Sequence, residues 1–257
     1  MGRVILGAIP ARWGATRFPG KALAEIAGRP PIGWVVEAAL AARRLDAVVV
    51  VTDHEGIARA AEVAGGRAVV IAREAASGTD RIAHLLAADA ASATAGIVVN
   101  VQGDEPLLEP EAIDAAVDAL AAPSAPDVAT LARSLRTGES AADPGLVKVA
   151  VTATGRALYF SRAPIPHGAA SRVHIGLYAY RRSAFDRFVA APPTSIERAE
   201  RLEQLRALEL GMVIAVVPFA SRSIGVDTPE DLARVAAALS GAPRPRAGAV
   251  DARTDRG

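Results

Sequence analysis

Only two lysines stand among 27 arginines in this chain, and one of them, Lys21, ends a loop with the composition of an anion site. Residues 9–21 read IPARWGATRFPGK and follow directly on the apolar run Val4 to Ile9. An apolar strand that breaks into a loop bearing Arg12, Arg17, two glycines and a terminal lysine converges backbone N–H groups and fixed cations, which suits a polyphosphate. A lysine ammonium is a compact point charge, unlike the planar fork of arginine, and a phosphate contact can demand that difference. A solvated surface loop would also account for Arg12, Arg17 and Lys21 by residue type alone. The density of features in so short a stretch favours the anion site.

Two familiar phosphate fingerprints fail here. A P-loop requires a glycine five residues before Gly20 and a hydroxyl residue after Lys21, where this chain has Ala15 and Ala22. A dinucleotide fingerprint requires G-x-G-x-x-G, and the loop has only Gly14 and Gly20, which argues against a nicotinamide enzyme.

Two further segments supply carboxylates. Asn100-Val101-Gln102-Gly103-Asp104-Glu105-Pro106 ends the most apolar run, and the carboxyl end of such a strand is where open α/β sheets bind ligands. Asp104 is the first candidate for a divalent cation there, against the plainer reading of a Gly-Pro turn with both acids in water. In Ser223 to Asp231, Thr228 as N-cap, Pro229 and Asp231 describe a helix start. Asp227 precedes that start and is left over, so Asp104 and Asp227 form a candidate metal pair. Ser77 to Arg81 reads either as a helix cap or as a loop closing on a base or sugar through Ser77. His174 and Tyr178 share one face of an extended run, where a lone histidine is more often structural. The alternating Glu and Arg of Glu197 to Glu209 read mainly as i,i+4 pairs on a wet helix face.

The elements that must position these residues alternate. Val4 to Ile9, Ala47 to Thr52, Ala68 to Ile71 and Ile97 to Val101 are runs short and apolar enough for buried strands. Helical spacing fills the gaps, after Pro31, over Ile57 to Ala64, Arg81 to Ala90 and Pro110 to Leu120. This predicts an α/β fold with a mostly parallel sheet and helices on both faces. From about residue 127 to 195 the rhythm shifts to strands joined by polar loops: Asp127 to Ala132, Val147 to Thr152, Leu158 to Phe160 and Val173 to Tyr180. That segment predicts a smaller antiparallel extension, serving the second substrate or a dimer contact. A helix over Ile196 to Leu210, a strand Met212 to Pro218 and a helix Pro229 to Leu239 close a single domain of residues 1–239. Residues 240–257, rich in Gly, Pro, Ala and Arg, are expected to form a disordered tail.

Composition narrows the function. A net charge of +1 argues against a dedicated nucleic-acid binder, so any anion site must be local. The absence of cysteine removes disulfides and thiolate metal sites and points to the cytoplasm. The first residues read as a strand, not a signal peptide. No apolar run approaches the roughly 18 to 20 residues of a membrane span. Hydrophobic residues make up 51% and aromatics only 4%, so the core should be aliphatic.

Seven segments in order, IPARWGATRFPGKAL, SGTDR, NVQGDEP, VKVAVTATGRALYFSRAPIP, HIGLYAYRR, LEQLRALELG and GVDTPEDL, resemble the 3-deoxy-manno-octulosonate (KDO) cytidylyltransferases, from Ile9 to about Val235. The resemblance implies a Rossmann-like nucleotidyltransferase fold, a homodimer, and Mg²⁺-dependent transfer of CMP from CTP to an acidic sugar with release of pyrophosphate. It assigns Arg12 and Lys21 to the triphosphate with Arg17 nearby, and Ala11, Ser77, Gln102 and Gly103 to the nucleotide pocket. Asp104 and Asp227 become magnesium ligands, and Lys21, Arg12, Asp104 and Asp227 the catalytic set. Arg162, His174, Tyr178, Glu203 and Gln204 match acceptor-binding motifs. Two departures from the family pattern are visible: Ala15 replaces the usual serine of the first loop, and the segment from Arg162 to His174 is short. A second acceptor is therefore weighed, a small phosphonate acid such as phosphonoformate. A nucleotide-binding homologue without catalysis is a third reading, and the retention of both aspartates beside Lys21 speaks against it.

Overall fold

The computed structural model describes residues 4–14, 18, 20–121 and 126–241. Arg17, Ala15 and most of the proposed tail lie outside the described residues. Among the described residues nine strands form one sheet. They are β1 (Ile5–Ala11), β2 (Ala47–Thr52), β3 (Arg67–Val70), β4 (Ile97–Asn100), β5 (Val128–Ser134), β6 (Lys148–Val151), β7 (Ala157–Ser161), β8 (Arg172–Arg181) and β9 (Ile214–Pro218). Their main order is β3-β2-β1-β4-β8-β5-β9, with β6 paired to β7 and β8. The pairs among β1 to β4 are parallel, as is β5 with β9. β8 runs antiparallel between β4 and β5, and β6 and β7 form a hairpin. The predicted parallel sheet with an antiparallel extension is thus the observed one.

Helices cover both faces, and the strand period of two assigns side chains to each. Along β1, Ile9 and Ala11 join the layer formed with α1 (Pro31–Ala41), α2 (Glu55–Val63) and α5 (Pro110–Ala119). Leu6 and Ala8, on the other face, meet α3 (Gly78–Ala88) and the later helices. A short α4 (Ala90–Ala93) follows α3. The last helix, α9 (Pro229–Gly241), anchors a small third cluster in which Val235 and Val226 pack with Ile26. That cluster holds the segment bearing Asp227 against the turn that follows the Lys21 loop.

Three expectations need correction. A helix α6 (Arg182–Ala190) was not foreseen, although Ala184, Phe185 and Phe188 bury one face at helical spacing. The single helix over Ile196 to Leu210 is two, α7 (Ser195–Glu200) and α8 (Gln204–Glu209), because Arg201 turns left-handed at φ 56°. The reversal brings Arg206 onto Glu197, with Nε 2.8 Å from Oε2 and Nη2 2.5 Å from Oε1, and both residues are buried. This charge pair is therefore an internal clamp and not an i,i+4 pair on a wet face. α9 also extends to Gly241, past the expected end at Leu239.

Lys148, the second spared lysine, has no exposed surface. Its ammonium donates to the carbonyls of Asp143 (2.9 Å), Leu146 (2.6 Å) and Arg162. Three diverging donors on one atom match three converging carbonyls, which a planar guanidinium cannot do.

Candidate active site

The site grows from the pairing of β1 with β4. Because these neighbours are parallel and in register from Ile5↔Ile97 to Ala8↔Asn100, their carboxyl ends deliver two loops to the same edge. One is the loop after Ala11, the other Val101 to Pro106. Their approach is close: a Cβ on Gly103 would lie 2.9 Å from the carbonyl oxygen of Pro10, so only glycine fits. The first loop closes where Gly20 N–H donates to the carbonyl of Trp13 (3.2 Å), with Gly20 at φ 74°, a conformation that glycine adopts without strain. Lys21 then opens a single 3₁₀ turn to Leu23.

Lys21 is the centre of the arrangement. Its ammonium donates to Asp104 Oδ2 at 2.6 Å, to Asp227 Oδ1 at 3.0 Å and to the Val226 carbonyl at 2.9 Å. The backbone makes a parallel link, Val226 N–H to the Asp104 carbonyl at 2.8 Å. Desolvation works against the charge of Lys21, but the two aspartates outweigh it and its pKa lies above the ordinary lysine value. Asp231 caps the start of α9, receiving the N–H groups of Asp227 and Thr228, both at 3.1 Å. The capping role read for Thr228 and Asp231 and the separate placement of Asp227 both hold.

A cleft opens over this group, lined on one side by Ala11, Arg12 and Lys21 and on the other by Gln102, Gly103, Asp104 and Asp227. Ser77 lines it too, and also caps α3, its Oγ accepting from Asp80 N–H at 3.1 Å. The two readings of Ser77 are compatible.

One functional candidate in this cleft was missed. Arg81, inside the SGTDR segment, is buried, lines the cleft, and is held by Asp53 with Nη2 2.9 Å from Oδ2. Its Nη1 is buried and has no hydrogen-bond partner among the described residues, leaving a donor for a ligand. Asp53 also accepts from Trp13 N–H at 3.0 Å, while the Trp13 indole stacks on His54 with centroids 4.3 Å apart. The Thr-Asp-His end of β2 thereby pins the Arg12 loop. The signal for Arg81 lay in its own motif, but its helix position suggested only a cap.

The candidate acceptor residues lie elsewhere; the cleft lining contains none of Arg162, His174, Tyr178, Glu203 or Gln204. Tyr178 sits opposite Asn100 across the β4–β8 ladder, and His174 lies on the same strand face with ring centroids 5.2 Å apart. His174 Nε2 is 2.9 Å from Thr130 Oγ1, and desolvation pushes its pKa down to about 3, so the ring is neutral. Desolvation, Tyr180 and the carboxylates of Glu203 and Glu105 hold the Tyr178 phenol well above its usual pKa. Glu203 accepts from Thr79 Oγ1 at 2.9 Å, and Gln204 is buried at the start of α8. Arg162 is committed elsewhere, its Nε and Nη1 donating to the carbonyls of Glu200 (3.1 Å) and Pro144 (2.9 Å).

Two carboxylates converging on one cation are the donor set of a hard, oxygen-liking metal. Among the described residues no cluster of three or more His, Cys, Asp or Glu offers a complete protein cage. Two acids that leave the remaining positions to water and phosphate oxygens suit Mg²⁺ better than Ca²⁺ or Zn²⁺.

Residues 6–214 match the model of the cytidylyltransferase family. A 3-deoxy-manno-octulosonate cytidylyltransferase of Anaeromyxobacter dehalogenans (strain 2CP-1) is 50% identical over 238 residues, covering 90% of this chain and 96% of that protein. The chain belongs to the 3-deoxy-manno-octulosonate cytidylyltransferase family. The family member of Geobacter sulfurreducens is 47% identical over 247 residues, covering 90% and 97%. A CMP:2-keto-3-deoxy-manno-octonic acid synthetase solved in complex with CTP superposes with a TM-score of 0.85 at 37% identity, over 92% of this chain and 98% of that one. A cytidylyltransferase is thus the frame in which the cleft around Lys21 is to be understood. No described helix is long and apolar enough to cross a membrane.

Proposed function

We propose that this protein transfers CMP from CTP to KDO, yielding CMP-KDO and pyrophosphate. The observation that carries the reading is the Lys21 ammonium held between Asp104 and Asp227 at the carboxyl edge of β1 and β4, in a chain about half identical to enzymes of that name. The acceptor hydroxyl attacks the α-phosphorus, a new O–P bond forms, and the bond from that phosphorus to the α,β-bridging oxygen breaks. Pyrophosphate departs with the electron pair, and the hydroxyl proton passes to solvent.

Catalysis of this kind is mostly positioning and charge neutralisation. Arg12 and Lys21 receive the triphosphate, with Arg17 as a further cation of the same loop. Ala11, Ser77, Gln102 and Gly103 form the nucleotide pocket, and the spare donor of Arg81 adds a hydrogen bond there. Asp104 and Asp227 would hold Mg²⁺, which supplies charge neutralisation on the phosphates. Lys21 lines the same cleft, where its charge would add to that of the metal. His174, Tyr178, Glu203 and Gln204 are assigned to the acceptor side, and Arg162 joins them only if it exchanges the carbonyls of Glu200 and Pro144 for the acceptor. We further read the enzyme as a cytoplasmic homodimer, with the β6–β7 and β8 region as the contact; molar mass by light scattering tests that part.

The comparisons give the phosphonate alternative no support. A pyrophosphate-release assay with CTP, Mg²⁺ and a panel of KDO, sialic acid and phosphonoformate decides the acceptor. Turnover with KDO above the other two is expected. Turnover with phosphonoformate and none with KDO sinks the acceptor and keeps only the CTP half.

A further inference from the structure

Three segments far apart in the chain meet in one line of hydrogen bonds. Gln102 Nε2 donates to Asn100 Oδ1 at 3.3 Å, Asn100 Nδ2 donates to Thr79 Oγ1 at 3.4 Å, and Thr79 Oγ1 donates to Glu203 Oε2 at 2.9 Å. Thr79 and Asn100, the two middle members, are each only 3% exposed. The line starts at a residue of the cleft and ends on a carboxylate at the head of α8.

The polarity of the line is dictated by its ends. A carboxylate only accepts, so the single hydroxyl proton of Thr79 goes to Glu203 and its lone pairs face Asn100. Asn100 must then present its NH₂ to Thr79, which leaves its oxygen for Gln102. Gln102 in turn spends an N–H on Asn100. Every amide orientation is set by one charge, and each bond polarises the next in a region screened from water.

We propose that Thr79 is a positioning residue that couples the acceptor side of the site to the nucleotide side, acting through Glu203 in one direction and through Asn100 and Gln102 in the other. The inference rests on the functional reading above for the roles of Glu203 and Gln102. It assigns to Thr79 and Asn100, neither of which reaches the cleft, the job of keeping the two substrates' contacts in one mutual orientation. Thr79 is well placed for it: it sits in the first turn of α3, one residue from Gly78 and two from Ser77, and its hydroxyl bonds a residue 124 positions away.

The test compares Thr79→Val, which keeps the shape and removes both hydrogen bonds, with Thr79→Ser, which keeps the hydroxyl. CTP affinity is measured by calorimetry, kinetics with KDO by pyrophosphate release, and folding by thermal melting. A partner left unsatisfied in so enclosed a place predicts that Thr79→Val loses roughly ten- to hundredfold in kcat/KM for KDO and roughly fivefold or more in CTP affinity. Thr79→Ser should stay within about threefold of the parent in both, and Thr79→Val combined with Glu203→Gln should be no worse than the poorer single variant. Parental kinetics and CTP affinity in Thr79→Val, equal damage in Thr79→Ser, or additive losses in the double variant would each overturn the coupling. Absence of KDO turnover in the parent would sink the functional reading instead, and CTP affinity would still decide the coupling. If Thr79→Val does not fold, Glu203→Gln takes its place: a loss of CTP affinity supports transmission to Gln102, and unchanged affinity overturns it.

Discussion

The ammonium of Lys21 lies 2.6 Å from Oδ2 of Asp104, joining the loop after β1 to the loop after β4 across 83 residues of chain. With Asp227 at 3.0 Å on the same nitrogen, one ammonium bridges the two acids proposed as metal ligands. Asp104→Asn keeps the volume and removes one of those charges. Turnover in the pyrophosphate-release assay should fall by roughly 10²- to 10³-fold or more, as for loss of a main electrostatic contact in other active sites. The melting temperature should move little, since Asp104 is part-exposed. Full activity would remove Asp104 from the catalytic and metal-binding roles.

Lys148 makes the opposite case, a lysine for stability. Lys148→Met keeps the apolar stem and strips the donor from three carbonyls at once, those of Asp143, Leu146 and Arg162. Orphaning this knot should cost on the order of 3 kcal/mol, or a drop of roughly 6–12 °C in melting temperature for a chain of this size. Differential scanning calorimetry reads it directly, and an unchanged transition would show that the ammonium is not enclosed in solution.

These two lysines mark the boundary of what residue types and spacing reveal. Lys21 was legible because its signals are local in kind: a broken strand, a glycine loop and a carboxylate at a strand's end point to an ion site when they occur together. Asp227 was legible because a helix cap accounted for its neighbours and not for it. The purpose of Lys148 was not, since three carbonyls carry no sequence signal. The clamp of Arg206 on Glu197 was hidden for another reason, because a reversal at Arg201 brings together residues nine apart that a continuous helix would place on different faces. The acceptor residues divide the same way: the strand period already put His174 and Tyr178 on one face, but only the fold shows that Arg162 is tied to backbone carbonyls.

Gly103 offers a test of the loop apposition. In Gly103→Ala the new methyl would meet the Pro10 carbonyl oxygen at 2.9 Å, and backbone cannot swing aside as a side chain can. The loop carrying Asp104 must retreat from the end of β1, and a displacement of about 1 Å at a reacting site costs on the order of 100-fold in rate. Activity should therefore fall far more than stability. Wild-type kcat and KM for CTP in this variant would mean that the two loops stand further apart than described.

His174 predicts a pH dependence with a definite sign. Desolvation holds its folded-state pKa at about 3, below the ordinary value of 6.5, so between those limits the unfolded chain binds the extra proton and the folded one does not. Stability from this group is complete above pH 6.5 and is lost as the pH falls toward 3, by about 1.4 kcal/mol for each pH unit in that window. Glu105 works against it: desolvation lifts its carboxyl to about 7 from 4.5, so its contribution is present below pH 4.5 and is lost as the pH rises through 7. The two slopes oppose each other between 4.5 and 6.5, so the parent protein alone is a poor reporter. The difference between the parent and His174→Gln isolates the histidine, because Glu105 titrates in both. That difference in unfolding free energy, from urea titrations at several pH values, should shift against the parent as the pH drops from 6.5 to 4. A difference that stays flat over this range would show that His174 is protonated in the folded protein and that its ring is not enclosed between Thr130, Phe160 and Tyr178.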